Sequence, residues 1–199
     1  NPFQIFGSLP ILNPHGFETS SGSYYPINAL LFFSWLMMPL KNAFLADVGE
    51  VPFYIIGIVT IYSILKKYKV HSVLALLSGF LWVLIPNVLK QLRNGAQYDV
   101  ICAALFLSVI NSLLLLKDNF RFRNGLIFGI SIVLFIGTKV TNLIWLVGLL
   151  PFISYSLFKE LKFKKIRLFK ILEVFFPVAL MIILFGGYIY LKNYIYTGN

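Results

Sequence analysis

Four charged side chains border long apolar runs: Asp99, Lys139, Arg93 and Lys192. Ionisable groups at that depth are costly to hold, which makes them candidates for function before anything else. Asp99 follows Arg93-Asn94-Gly95-Ala96-Gln97-Tyr98 and opens the apolar run 100–116. A carboxylate there can satisfy free amides and the dipole of a helix start. It can equally serve catalysis or hold a metal ion, and these readings are compatible. Lys139 interrupts the apolar stretch 124–158 at Gly137-Thr138-Lys139. It reads either as a lysine that snorkels or binds carbonyls at a helix C-terminus, or as a cation for an anionic head group. Arg93 and Lys192 stand at run borders, where anchoring is the ordinary role.

Other polar residues carry weaker signals. His15 and Glu18 lie three apart in a stretch rich in Pro, Gly, Ser and Asn. Such a pair is a poor metal signature and reads as solvated loop. The single cysteine, Cys102, falls inside an apolar run and reads as a small packing residue. The sequence holds no phosphate-binding Gly-rich loop, no Cys/His metal cluster and no nucleophile elbow.

The elements that position these residues follow from composition. Of 199 residues 59% are hydrophobic and 12% charged, with a mean hydropathy of +0.84. That balance excludes a soluble globular domain and points to an all-α, polytopic membrane helix bundle. The net charge of +10 is no nucleic-acid footprint, because the basic residues fall in short segments between apolar runs. Twelve of the seventeen Lys and Arg form three clusters, at 66–69, 117–123 and 159–170.

Six crossings are expected, at about 46–65, 72–89, 98–116, 124–137, 140–158 and 171–191. As one helix, 124–158 would reach about 52 Å, too long for a ~30 Å hydrocarbon core. Splitting it at Gly137-Thr138-Lys139 also brings all three basic clusters to one side, the cytoplasmic one. The same parity leaves two choices for 1–49: either 27–40 crosses and 1–26 is cytoplasmic, or it does not and 1–49 is an extracytoplasmic loop, the favoured reading. The apolar run 27–40 is short, flanked by Pro26 and Pro39, and suits a juxtamembrane helix lying on the outer face. Asp99, Lys139, Arg93 and Lys192 then share that face. Gly125 and Gly129 match the small-xxx-small spacing of closely packed transmembrane helices. The chain starts without Met and stops just after an apolar run, so it is expected to be an internal piece of a longer protein.

Five stretches in order carry a resemblance. They are Ser23-Tyr24-Tyr25-Pro26-Ile27-Asn28, Pro52-Phe53-Tyr54 with Gly57 leading to Tyr62-Ser63-Ile64-Leu65-Lys66-Lys67, and Arg93 through Val100. Gly125 through Gly137-Thr138-Lys139-Val140-Thr141 follows, and Tyr190-Leu191-Lys192-Asn193-Tyr194-Ile195-Tyr196-Thr197-Gly198-Asn199 closes the chain. The whole resembles the multi-spanning glycosyltransferases of the GT-C superfamily. It is similar to bacterial members akin to protein O-mannosyltransferases and aminoarabinose transferases.

The resemblance implies transfer of a sugar from a lipid-linked (polyprenyl-phosphate) donor to a glycan, lipid or protein acceptor. The reaction would lie on the outer face of a bacterial inner membrane. Asp99 matches the family's second acidic position, Lys139 the lysine of its Thr-Lys motif, and Lys192 a position where arginine is common. The family's general base, an acid early in the first loop, is expected before Asn1. Some relatives carry Lys-Pro-Pro where this chain has Tyr24-Tyr25-Pro26. By this reading Asp99 orients the acceptor or a divalent cation, while Lys139 with Lys192 or Arg93 meets the donor phosphate. Two other readings stay open: a transporter or flippase of lipid-linked glycans, and a non-catalytic membrane scaffold. Charges gathered at helix ends rather than at the bilayer midplane favour the enzyme.

Overall fold

Apolar segments that close their own backbone hydrogen bonds fold as helices, and every element among the described residues of the computed structural model is helical. The described residues are 28–39, 45, 48–94, 98–164, 168–187, 190–191 and 194–195, without the side chains of 30, 92–94, 156–157, 159–164 and 168. In chain order the helices are α1 (Asn28–Met37), α2 (Val51–Lys67), α3 (Ser72–Val83) and α4 (Pro86–Asn94). They continue with α5 (Tyr98–Asp118), α6 (Phe122–Ile136), α7 (Thr141–Lys164) and α8 (Leu168–Met181). A π-helical turn, Ile182–Gly186, prolongs α8. Two helices are long and apolar enough to cross a membrane, Tyr98–Asp118 and Phe169–Gly186.

The interruption expected at Gly137-Thr138-Lys139 is present: α6 ends at Ile136 and α7 starts at Thr141. The short helix expected over 27–40 is α1. A difference falls in the second expected crossing. The continuous helix expected over 72–89 ends at Val83, and α4 starts afresh at Pro86. Proline lacks the amide that would continue the ladder and drives the residue before it out of the helical region. The stretch Pro86–Asn94 thus becomes a separate amphipathic helix.

Helix α5 lies centrally, against α2, α4, α6 and α7. Its Val109, Leu113 and Leu116 are fully buried. Phe106 meets Phe135 of α6 with ring centroids 5.6 Å apart, and Ser63 of α2 donates to Asn111 at 3.1 Å. Outward faces remain apolar, including Ile55 and Val59 of α2, Leu77 and Leu81 of α3, and Phe176 and Ile183 near α8. A surface of that kind is unfavourable against water.

The first two basic clusters, 66–69 and 117–123, meet at one end of the bundle. Lys67 pairs with Asp118 at 2.9 Å, joining the end of α2 to the end of α5. Nearby, Phe120 packs on Phe175, close to the start of α8. Helix α6 runs parallel to α8 along a glycine seam. A Cβ on Gly125 would strike the carbonyl and side chain of Val174, and one on Gly129 would lie 3.0 Å from the Cα of Val178. Only residues without side chains permit that approach.

Replacing Gly125 by Val should therefore lower stability by about 1–3 kcal/mol through overpacking. Gly148, whose added Cβ meets nothing within 4 Å, should accept Ala and gain up to about 1 kcal/mol of helix propensity. Thermal unfolding of the two purified variants checks the contrast, and equal effects would contradict the seam.

Candidate functional site

The site is built at the C-terminal end of α6, where the last carbonyls need partners. Each has one. The Gly137 amide donates to Val133 O at 3.0 Å, and Thr138 Oγ1 donates to Leu134 O at 2.6 Å. Asn142 Nδ2 reaches Phe135 O at 2.7 Å, and Tyr190 Oη reaches Ile136 O at 3.3 Å. The Asn28 amide at the start of α1 donates to Gly137 O at 3.0 Å. A Cβ on Gly137 would meet the Asn28 side-chain amide, which would have to move aside. Helix α1 thus docks at this end, with Phe33 stacked on Tyr98 at 5.9 Å and Phe32 edge-on to Phe53 at 5.4 Å.

With the carbonyls occupied, the Lys139 ammonium turns to α5. Its Nζ donates to Asp99 Oδ1 at 2.7 Å, with side chains 42% and 56% exposed respectively. The residues are 40 apart in sequence, so helix packing alone brings them together. The hydrogen bond to Asp99 raises the Lys139 pKa above its ordinary value; partial burial opposes this and the charge of Asp99 adds to it.

Gln91 of α4 completes the arrangement. Its Oε1 accepts from the Val100 amide at 2.9 Å, and its Nε2 approaches Asp99 Oδ2 at 3.4 Å. The helix-capping duty that Asp99 could have served thus falls partly to Gln91. Sequence reasoning missed Gln91, because only the turn at Pro86 brings α4 back over α5. It also missed Asn142, which is buried and bridges Phe135 O to Cys102 Sγ, the latter at 3.2 Å. An asparagine at the start of a helix gives no signal of that contact.

Asp99 and Lys139 stand at the mouth of an open cleft of about 330 Å³. Thr141, Asn142 and Cys102 add polar atoms, while Ala103, Phe106, Phe135 and Trp145 form an apolar wall. Cys102 is therefore more than packing: it lines this cleft. An ammonium has three donors and a carboxylate several acceptor positions. The pair can thus take an anionic oxygen on one side and a hydroxyl or a cation on the other.

Of the four sequence candidates, Asp99 and Lys139 meet directly. Arg93 falls within α4, but its side chain lies outside the described residues, as do Lys192, His15 and Glu18. Glu50, at the start of α2, is fully buried. Among the described residues no three His, Cys, Asp or Glu side chains gather as a metal site.

A double-mutant cycle with Asp99→Asn and Lys139→Gln should give a coupling of about 0.2–1 kcal/mol, the range for an ion pair this exposed. Since the folded Lys139 pKa exceeds the unfolded one, that coupling is complete below the ordinary value of 10.5 and is lost as pH rises through the folded value. Chemical denaturation at neutral and strongly alkaline pH measures both. Gln91→Ala, which uncaps Val100, should cost about 1 kcal/mol in the same assay.

Comparison with family models, with curated proteins and with solved structures finds no match to this chain, so a role for the site rests on its own geometry.

Proposed function

We propose that this chain is the membrane domain of a GT-C-like glycosyltransferase that moves a sugar from a polyprenyl-phosphate donor to an acceptor on the extracytoplasmic face. The observation that carries the reading is the Asp99–Lys139 pair at the mouth of an apolar-walled cleft. A polyprenyl-phosphate sugar asks for three things in one place: a cation for phosphate, a carboxylate near the incoming hydroxyl, and an apolar wall for hydrocarbon. These residues supply all three. The position opposite the basic clusters agrees with an extracytoplasmic reaction in a multi-pass protein of a bacterial inner membrane.

In the reaction the acceptor hydroxyl oxygen bonds to the anomeric carbon as the carbon–oxygen bond to phosphate breaks. The phosphate oxygen leaves with the electron pair, and the hydroxyl proton passes to the first-loop acid that the resemblance implies. Asp99 orients the acceptor or a divalent cation. Lys139, with Lys192 or Arg93, stabilises the departing phosphate, whose charge grows as the bond breaks. The resting ion pair favours the charged Lys139 ammonium until substrate arrives.

The test is sugar transfer by the full-length protein, with Asp99→Asn and Lys139→Gln as variants. Loss of the Lys139 donor should lower kcat by about 10²–10³, and loss of the Asp99 carboxylate by about 10² or more. Detergent micelles separate the flippase alternative, since they have no sides: an enzyme still transfers sugar there, and a flippase does not. Wild-type turnover by Asp99→Asn would sink the role given to that residue.

A further inference from the structure

We propose that the groove between α2 and α3, at the basic end of the bundle, binds one anionic phospholipid of the adjoining leaflet. The groove has a volume of about 320 Å³ and is lined by Ile58, Val59, Tyr62, Ser72, Val73 and Leu76. Val59, Val73 and Leu76 face outward, each between 45% and 57% exposed. Apart from Tyr62 and Ser72 it offers no polar side chain, so it suits hydrocarbon.

Charge decides which lipid. The polar rim is Ser72, whose Oγ accepts from Lys66 Nζ at 3.0 Å. The same ammonium reaches Val70 O at a longer 3.4 Å, so a donor remains for a phosphate oxygen. Lys69 and His71 are exposed in the same turn, and Lys69 holds a left-handed backbone, φ 61°. Lys67 points elsewhere, to Asp118, whereas Lys66 and Lys69 form no ion pair among the described residues. No side chain caps the first amides of α3, which adds positive potential at the same rim. Tyr62 to Ile58 and Ser72 to Leu76 each span about 6 Å of helix, the depth of a glycerol backbone and the first carbons of a chain. Hydrocarbon below and the exposed Lys66 and Lys69 in the turn above match a phospholipid with a net negative head group, and not a zwitterionic one.

The inference rests only on the membrane-embedded part of the proposed function. An Asp99→Asn protein that has lost transfer keeps the lipid preference, so the two failures read separately.

The test uses the full chain in phosphatidylcholine vesicles carrying a trace of photoactivatable phosphatidylglycerol, or phosphatidylcholine with the same acyl probe. Labelled residues are mapped by mass spectrometry. Groove residues should be labelled about five-fold more by the anionic probe, the preference that one well-placed lysine confers at a membrane surface. Lys66→Gln with Lys69→Gln should abolish the excess. Leu76→Trp, which fills the groove without changing charge, should abolish groove labelling by both probes. Equal labelling by the two probes in the wild-type protein overturns the proposal. So does an excess that survives the lysine substitutions, or labelling spread evenly over the outward faces.

Discussion

A helix that ends where its neighbours exclude water must still find partners for its last carbonyls, and the end of α6 meets this demand with residues from three places. Thr138 and Asn142 come from the turn and the start of α7, Asn28 from α1, and Tyr190 from beyond α8. Each partner must arrive at one point, so each element is fixed relative to α6. The short helix α1 would otherwise be held by the apolar contacts of Ala29, Phe32, Phe33 and Met37 alone. That a Cβ at Gly137 would meet the Asn28 side-chain amide shows how close that docking is.

The same bookkeeping explains why an ion pair survives at the site. A lysine after a helix C-terminus ordinarily binds the free carbonyls, and an aspartate at a helix start ordinarily caps the free amides. Here other residues do much of both jobs. Uncharged groups satisfy the α6 carbonyls, and the Gln91 amide oxygen takes the Val100 amide. Lys139 and Asp99 are left to each other and remain half exposed at the cleft mouth. Charged groups released from structural duty are available for a ligand.

Much of this organisation was legible in the sequence. The basic clusters separated the apolar runs, and the length of 124–158 required a break where Lys139 stands. The spacing of Gly125 and Gly129 announced a close helix pair, though not that Val174 and Val178 would fill it. What stayed hidden has one physical cause. Gln91, Asn142 and Tyr190 act through contacts between elements, and their local sequence is the same whether or not the partner arrives. Pro86 is the instructive exception: its effect is local, yet the hydrophobicity running through 72–89 concealed it. A reading weighted toward apolar length missed a break that proline chemistry dictates.

The glycine seam has a consequence in time. Helices α6 and α8 run parallel, and the whole of α7 lies between them in the chain. Parallel neighbours cannot form as a hairpin; the intervening helix must first be made and turned back. While the polypeptide is being synthesised, the exposed backbone along Gly125 and Gly129 therefore waits without its partner. The order of manufacture lets this contact close only after α7 and α8 have been made, and until then the newborn bundle has an open flank.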